Sequence, residues 1–202
     1  KNPLNIIRGL AQMISKQEEA PPAIREKSRG IVDEADRVTA QLNEFINYSR
    51  PREVRRAPVA LSTAVAEVVR ALGYDLEEKA LQLTVQPDLP RIEADEQLLR
   101  QALFNLLINA TQALDRAGEI RVSATRKDDG TLALEIRDNG PGVMPENLKE
   151  IFKPYFTTHQ KGTGLGLAIV QQIVLAHGWE IECLPNEPRG ALFRVSHIKI
   201  LP

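Results

Sequence analysis

Residues 119–142 read EIRVSATRKDDGTLALEIRDNGPG. Apolar and polar residues alternate with period two from Glu119 to Arg126 and again from Thr131 to Asp138, and the Asp-Gly pair inside KDDG is a hairpin turn signal. The stretch predicts two antiparallel strands. Asp138 then stands at a strand end, with Gly140 and Gly142 close behind it. A carboxylate in that place can accept a hydrogen bond from an exocyclic amine, and the glycines leave room for a flat ring. A plain polar turn would have the same composition.

Downstream, KGTGLGLAIV (161–170) sets Gly162, Gly164 and Gly166 immediately before a helix that Gly178 ends as its C′ residue. Glycines allow close backbone approach, and a helix start offers unpaired N–H groups and a positive dipole end, which suits a polyphosphate. A Gly-rich loop is also a common structural turn, and no Gly-Lys-Ser/Thr follows, so this is not a P-loop. WEIECL (179–184) and ALFRVSHIKI (191–200) read as closing strands.

Upstream, DEQLLRQALFNLLINATQALDRAG (95–118) is a long helix capped by Asp95 and stopped at Gly118. Within it Asn105 and Asn109 share one face among Phe104, Leu106, Leu107 and Ile108. Asn is a poor interior helix residue, so two of them there want a reason. One is an oxygen ligand for Mg²⁺, which takes few protein groups; the other is an ordinary buried hydrogen-bond network. STAVAEVVRALGYDLEEKA (62–80) reads as one helix with Ser62 as N-cap, and LQLTVQ (81–86) as a strand. Hairpin strands with three helices to cover one face predict an α+β sandwich.

The first fifty residues differ. Leu4, Ile7, Ala11 and Ile14 form one apolar stripe, EEAPPA breaks it, and a second helix follows with Ser28, Ile31, Ala35, Val38, Leu42, Phe45 and Ser49 at heptad spacing. This predicts an antiparallel helical hairpin. Two hairpins in a four-helix bundle would bury both stripes; packing of the hairpin on its own second domain is the alternative. SRPREVRRAP (49–58) reads as a solvated linker, which gives domains at 1–52 and 53–202.

The totals bound the function. A net charge of -1 supplies no field for nucleic acid or an anionic membrane, and aromatics at 4% make stacking platforms scarce. No apolar run approaches the ~20 residues of a membrane span. The single cysteine, Cys183, excludes an internal disulfide framework and fits a reducing, cytoplasmic setting.

Four segments, in order, resemble the nucleotide-binding boxes of sensor histidine kinases: NLLINATQAL (N box), DNGPG (G1), IFKPYFTT (F) and GTGLGL (G2). Their ATP-binding domain belongs to the superfamily shared with gyrase, the Hsp90 chaperones and mismatch-repair ATPases. The short HQ interval between FKPYFTT and KGTGLGL resembles the nitrogen-regulatory class.

The resemblance implies ATP and Mg²⁺ as cofactors. It assigns Asn109 to the metal, Asn105 to the phosphate site as a candidate catalytic residue, and Asp138 to the adenine amine beside Gly140 and Gly142. Gly162, Thr163, Gly164, Leu165 and Gly166 match the loop facing the phosphates. Lys153–Thr163 matches a mobile lid, in which Lys161 is a phosphate partner by charge and His159 a solvated residue. HGW at 177–179 replaces the family's His-Gly-Gly, and EPRGALF (187–193) replaces Gly-x-Gly-Thr-x-Phe. Both departures read as lying away from the nucleotide.

KNPL (1–4) matches the tail of the family's His-Glu-x-Lys/Arg-Asn-Pro-Leu, so the phosphoacceptor histidine is expected just upstream of Lys1. Asn2 then occupies the position that the family often uses for dephosphorylating its partner. The implied partners are a second copy of the chain, through the hairpin, and a response-regulator receiver domain. The rival expectation is a non-catalytic, nucleotide-responsive interaction module.

Overall fold

The computed structural model describes residues 3–49, 53–158 and 162–202. The chain divides into two compact units, Lys1–Arg50 and Pro51–Pro202.

In the first unit, helices α1 (Pro3–Lys16) and α2 (Pro22–Ser49) pack along each other. Small residues make the contact: Ala11, Ser28 and Ala35 are buried. Arg8 and Asp36 add an ion pair of 2.6 Å between the helices. The stripes read from sequence are thus split. Ile7 and Ile14 of α1, with Ile31 and Leu42 of α2, stay exposed, as do Ile6, Leu10, Met13 and Ile24. The side chains of Phe45 and Ser49, also assigned to the seam, lie outside the described residues.

The second unit carries a five-stranded sheet in the order β2-β4-β5-β7-β6: Gln82–Val85, Glu119–Arg126, Thr131–Asp138, Ala191–Lys199 and Glu180–Pro185. The β4–β5 hairpin turns at Gly130 as its sequence predicts, and β6–β7 is a second hairpin; only β2 runs parallel to its neighbour, β4. Ile120 and Val122 of β4 and Leu132, Leu134 and Ile136 of β5 are buried. Against them lie helices α5 (Glu96–Ala113), which packs on β5, and α6 (Gly166–Ala176), which packs on β6 and on α5. The alternation of β5 continues to Asp138, which puts this carboxylate on the helix-covered side. The opposite face is polar. There Glu135 is buried beneath Arg137 and Arg194, and Arg194 also reaches Glu182.

Several elements differ from their sequence expectations. RRAP does not stay linker: Ala57–Ala60 is strand β1, antiparallel to β3 (Arg91–Ala94), in a separate two-stranded sheet. Pro58 within β1 and the arginines before it hide this short strand. Ser62 is not a cap. Helix α3 (Leu61–Ala71) begins two residues earlier than a Ser62 cap would set it, with Ala60 at the cap position, and the buried Leu61 donates its N–H to the Pro90 carbonyl at 3.3 Å. The helix also stops at Leu72, and α4 (Gly73–Glu78) starts anew at a glycine, a weak helix former.

Asp95 caps α5 as read, its Oδ1 accepting the Leu98 N–H at 3.1 Å. The helix ends at Ala113, well before Gly118, because the Lys79 ammonium donates to the carbonyls of Thr111 (2.9 Å) and Leu114 (2.8 Å) and satisfies its C-terminal end. Gly178 ends α6 as read. Its N–H bonds the Leu175 carbonyl and that of Trp179 the Val174 carbonyl, a Schellman pair, with φ +72 at the glycine.

Candidate functional site

Helix α5 is the spine of the site. At Asn105 it faces the start of α6: a Cβ built on Gly166 would lie 3.9 Å from Asn105 Oδ1. At its C-terminal end it meets the DNGPG loop, where a Cβ on Gly140 would lie 3.2 Å from the Ala113 carbonyl oxygen. Eight residues of helix separate these two contacts, about 12 Å along the axis, with Asn109 between them. The segments around Asp138, Asn105, Asn109 and Gly166 are therefore brought into one line, as the sequence spacing alone could not establish.

Asp138 is 3% exposed. Its Oδ1 accepts the Gly140 N–H at 2.9 Å and the Ala191 N–H at 3.3 Å, while among the described residues Oδ2 takes no hydrogen bond. Burial pushes the carboxyl above its ordinary range, and the two N–H donors pull it partly back. Such an oxygen is suited to accept from a ligand amine. The glycines serve the protein here before any ring. A Cβ on Gly140 would sit 2.9 Å from Asp138 Oδ1, and one on Gly142, which has φ +78, would sit 2.8 Å from the Gly190 carbonyl oxygen.

The other end suits an anion. Helix α6 starts after Leu165 with no side-chain cap and no acidic residue in its first turn. Its opening N–H groups therefore offer unneutralised donors. Thr163 Oγ1 accepts the Leu165 N–H at 3.4 Å, and Leu165 itself is buried. Asn105 Nδ2 is buried without a partner among the described residues, an orphaned donor beside Gly166. Asn109 is half-buried one turn further on. Among the described residues no cluster of three His, Cys, Asp or Glu could hold a metal. A divalent ion here would rely on Asn109 together with ligand oxygens and water, which matches the sparse protein ligation of Mg²⁺.

The loop between the F and G2 segments is pinned at its base, where Tyr155 donates its N–H to the Gly164 carbonyl at 2.9 Å. Gly164, at φ +69, has no room for a side chain, since a Cβ would come within 2.4 Å of the Tyr155 carbonyl carbon. Gly162 is half-buried. Asn2, His159 and Lys161 lie outside the described residues.

EPRGALF was read as remote from the nucleotide boxes. The structure corrects this: the β6–β7 turn backs directly on Asp138. Asn186 Nδ2 donates to the Asp138 carbonyl at 2.8 Å, and Ala191 supplies one of the two N–H groups to the carboxylate. Sequence reasoning missed Asn186, Gly190 and Ala191. The only signal was Gly190 opening a strand 52 residues beyond Asp138.

HGW has a packing role. His177 is buried and stacks on Trp179 at 4.2 Å. Its Nδ1 donates to the Ile173 carbonyl at 2.8 Å, and its Nε2 accepts the Asp95 N–H at 3.0 Å, a neutral ring with both nitrogens engaged. The Arg56 guanidinium donates to the His177 carbonyl at 2.8 Å. Burial lowers the His177 pKa from 6.5; the bond to Ile173 and the Asp95 charge oppose it, and Arg56 reinforces it. The folded state then binds fewer protons than the unfolded chain just below pH 6.5, so this stability is present above that pH and lost as pH falls. His177→Leu should cost about 1–3 kcal/mol at pH 8, as expected for a buried N–H left unpaired, and should flatten the curve below pH 6.5. Urea unfolding followed by Trp179 fluorescence checks both, and a variant retaining the wild-type pH slope would refute the assignment. His197 lies at the distal end of the sheet, lining a groove of about 450 Å³ with Lys127 and Glu180.

The chain is similar to known proteins in sequence and in fold. Residues 94–201 match the family model of the histidine kinase-, DNA gyrase B- and HSP90-like ATPases. Sensor histidine kinase ZraS of Klebsiella oxytoca is 36% identical over 195 residues, covering 96% of this chain and 42% of ZraS. The chain thus spans less than half the length of that relative. Full-length ShkA, solved in complex with AMPPNP, superposes with a TM-score of 0.81 at 27% identity, over 98% of this chain and 44% of ShkA. Histidine kinase ThkA, solved in complex with the response regulator TrrA, gives 0.74 at 25% identity, over 98% of this chain and 58% of ThkA. With its family match covering more than half its length, the chain belongs to the histidine kinase-, DNA gyrase B- and HSP90-like ATPases, as a sensor histidine kinase ATP-binding domain preceded by a helical pair.

Proposed function

We propose that this chain is the catalytic core of a cytoplasmic sensor histidine kinase, of the nitrogen-regulatory class, that binds ATP·Mg²⁺ and passes the γ-phosphoryl group to a histidine. The observation that carries the reading is the line along α5, with an amine acceptor at Asp138 and an uncapped helix start at Gly166 about two turns apart. Asp138 takes the adenine amine, and the loop of Gly162, Thr163, Gly164, Leu165 and Gly166 takes the phosphates. Asn105 donates its free Nδ2 to a phosphate oxygen, and Lys161 adds charge from the lid. Asn109 holds the metal, which when bound neutralises charge on the transferring group.

Positioning is then most of what the protein contributes. The acceptor imidazole belongs to the motif that KNPL continues, upstream of Lys1. His177 is unsuited to the task because both of its ring nitrogens are engaged. A receiver-domain aspartate would take the phosphoryl group next, a reading supported by the ThkA–TrrA complex, and Asn2 would assist its later hydrolysis.

Asn109→Ala should weaken ATP roughly tenfold or more with Mg²⁺ present, the size of one lost contact to a charged group, and change little without it. Calorimetric titration with and without Mg²⁺ tests this. An equal penalty in both would remove Asn109 from the metal.

The hairpin is the natural place for a second copy of the chain. Leu10 and Ile31 are 58% and 49% exposed on a unit whose helices already share a small-residue seam. Apolar rows of that kind are rarely left to solvent. Glutamate at both positions should convert a dimer to a monomer in light scattering. A monomeric wild-type chain at micromolar concentration would refute the four-helix bundle.

A further inference from the structure

The peptide joining Asp138 to Asn139 is held from both sides. Towards β4, the Asn139 N–H bonds the Glu119 carbonyl at 3.2 Å, and Asn139 Oδ1 accepts the Glu119 N–H at 2.8 Å. Towards β7 the ladder has run out, since its last pair is Arg137 with Leu192. The Asp138 carbonyl is taken there by a side chain, Asn186 Nδ2, at 2.8 Å.

Asn186 is itself well held. Its N–H bonds the Gly190 carbonyl at 3.0 Å, which closes the β6–β7 turn, and its Nδ2 also approaches the Arg189 carbonyl at 3.4 Å. The turn presses so closely on Asp138 that a Cβ on Gly190 would stand 1.8 Å from the Asp138 carbonyl oxygen.

We propose that Asn186 is a positioning residue for purine recognition: its carboxamide fixes the Asp138 peptide and thereby aims the carboxylate at the exocyclic amine. This rests on the nucleotide reading of Asp138 given above. The chemistry requires a donor of this reach. An aspartate in the same place would present an oxygen to a carbonyl and push the peptide away. Asn186 acts through Asp138, so its loss should be felt at the amine and not at the phosphates.

The test compares ATP with ITP, which carries a carbonyl in place of the amine, for the wild-type chain and for Asn186→Ala, Asn186→Asp and Asp138→Ala. The wild-type chain should prefer ATP. Asn186→Ala should lower ATP affinity about three- to tenfold, the size of one hydrogen bond, while ITP affinity stays within about twofold. Asn186→Asp should narrow the preference further, even if its added charge weakens both nucleotides. General loosening of the fold would weaken ATP and ITP together, and Trp179 fluorescence reports the folded fraction in each variant. If Asp138→Ala abolishes the preference and both Asn186 variants keep it, the role of Asn186 is overturned and Asp138 stands. If Asp138→Ala still prefers ATP, the adenine assignment fails and this inference with it.

Discussion

Asp138→Asn is expected to weaken ATP by about 10- to 100-fold while raising the thermal stability of the nucleotide-free protein. The two effects have one cause. The amide keeps an oxygen for the Gly140 and Ala191 N–H groups, so the local backbone need not move. It replaces Oδ2 with an NH₂ group, which meets the adenine amine donor to donor. Loss of a hydrogen bond to a charged group accounts for an affinity change of that size.

Stability moves the other way because Asp138 is buried with its pKa raised above 3.8. The folded state binds more protons than the unfolded chain between 3.8 and the folded value, so stability falls as pH rises through that window. At neutral pH the wild-type protein bears the cost of a desolvated charge that the amide removes. Melting of wild-type and variant chains from pH 4 to 8 should show a gap that opens with pH. Unchanged ATP affinity in a folded variant would sink the adenine assignment, and a lower melting temperature at pH 7 would sink the desolvation argument.

The sequence made some features legible and hid others for definite physical reasons. The β4–β5 hairpin, the α5 cap at Asp95 and the α6 stop at Gly178 are local, each written within a few residues, and each reads correctly. Strands β1 and β3 escaped because Pro58 lies inside one and Pro90 directly before the other, and a run of arginines beside β1 imitates a linker. Ser62 has the right chemistry for a cap, but burial of Leu61 and its bond to Pro90 set the helix start instead. In the first unit, heptad spacing found the seam without saying which residues face the neighbouring helix. Side-chain size decided that, since the small residues Ala11, Ser28 and Ala35 went inside. At the site, Asp138, Asn105 and Gly166 were legible because each carries a local anomaly. Asn186 was not: an asparagine in a turn is ordinary until the fold lays that turn against a residue 48 positions earlier.

Gly190→Ala should be the most damaging of the single-methyl additions in the second unit. Gly190 has φ +118, where an L side chain is strained by about 1–3 kcal/mol. The added carbon would also stand 1.8 Å from the Asp138 carbonyl oxygen, 2.7 Å from its carbon and 2.9 Å from Asn139 Cα. All three are backbone atoms that cannot swing aside, unlike the Leu114 methyls facing Gly118. Moving the turn away adds an overpacking cost of about 1–3 kcal/mol, so a total loss of roughly 2–6 kcal/mol is expected. The same displacement parts Asn186 from the Asp138 carbonyl and Ala191 from its carboxylate, so ATP affinity should fall in whatever fraction stays folded. Gly73→Ala supplies the contrast. Gly73 opens α4 without a positive φ and with nothing within 4 Å of its Cβ direction, and alanine there should gain about 0.4–1 kcal/mol. Trp179 is the only tryptophan and is buried in this unit, so its fluorescence in urea reads both changes directly. A Gly190→Ala chain with wild-type midpoint and wild-type ATP affinity would mean that the turn does not bear on Asp138 at all, since no relaxation of a side chain can absorb a contact made wholly by backbone.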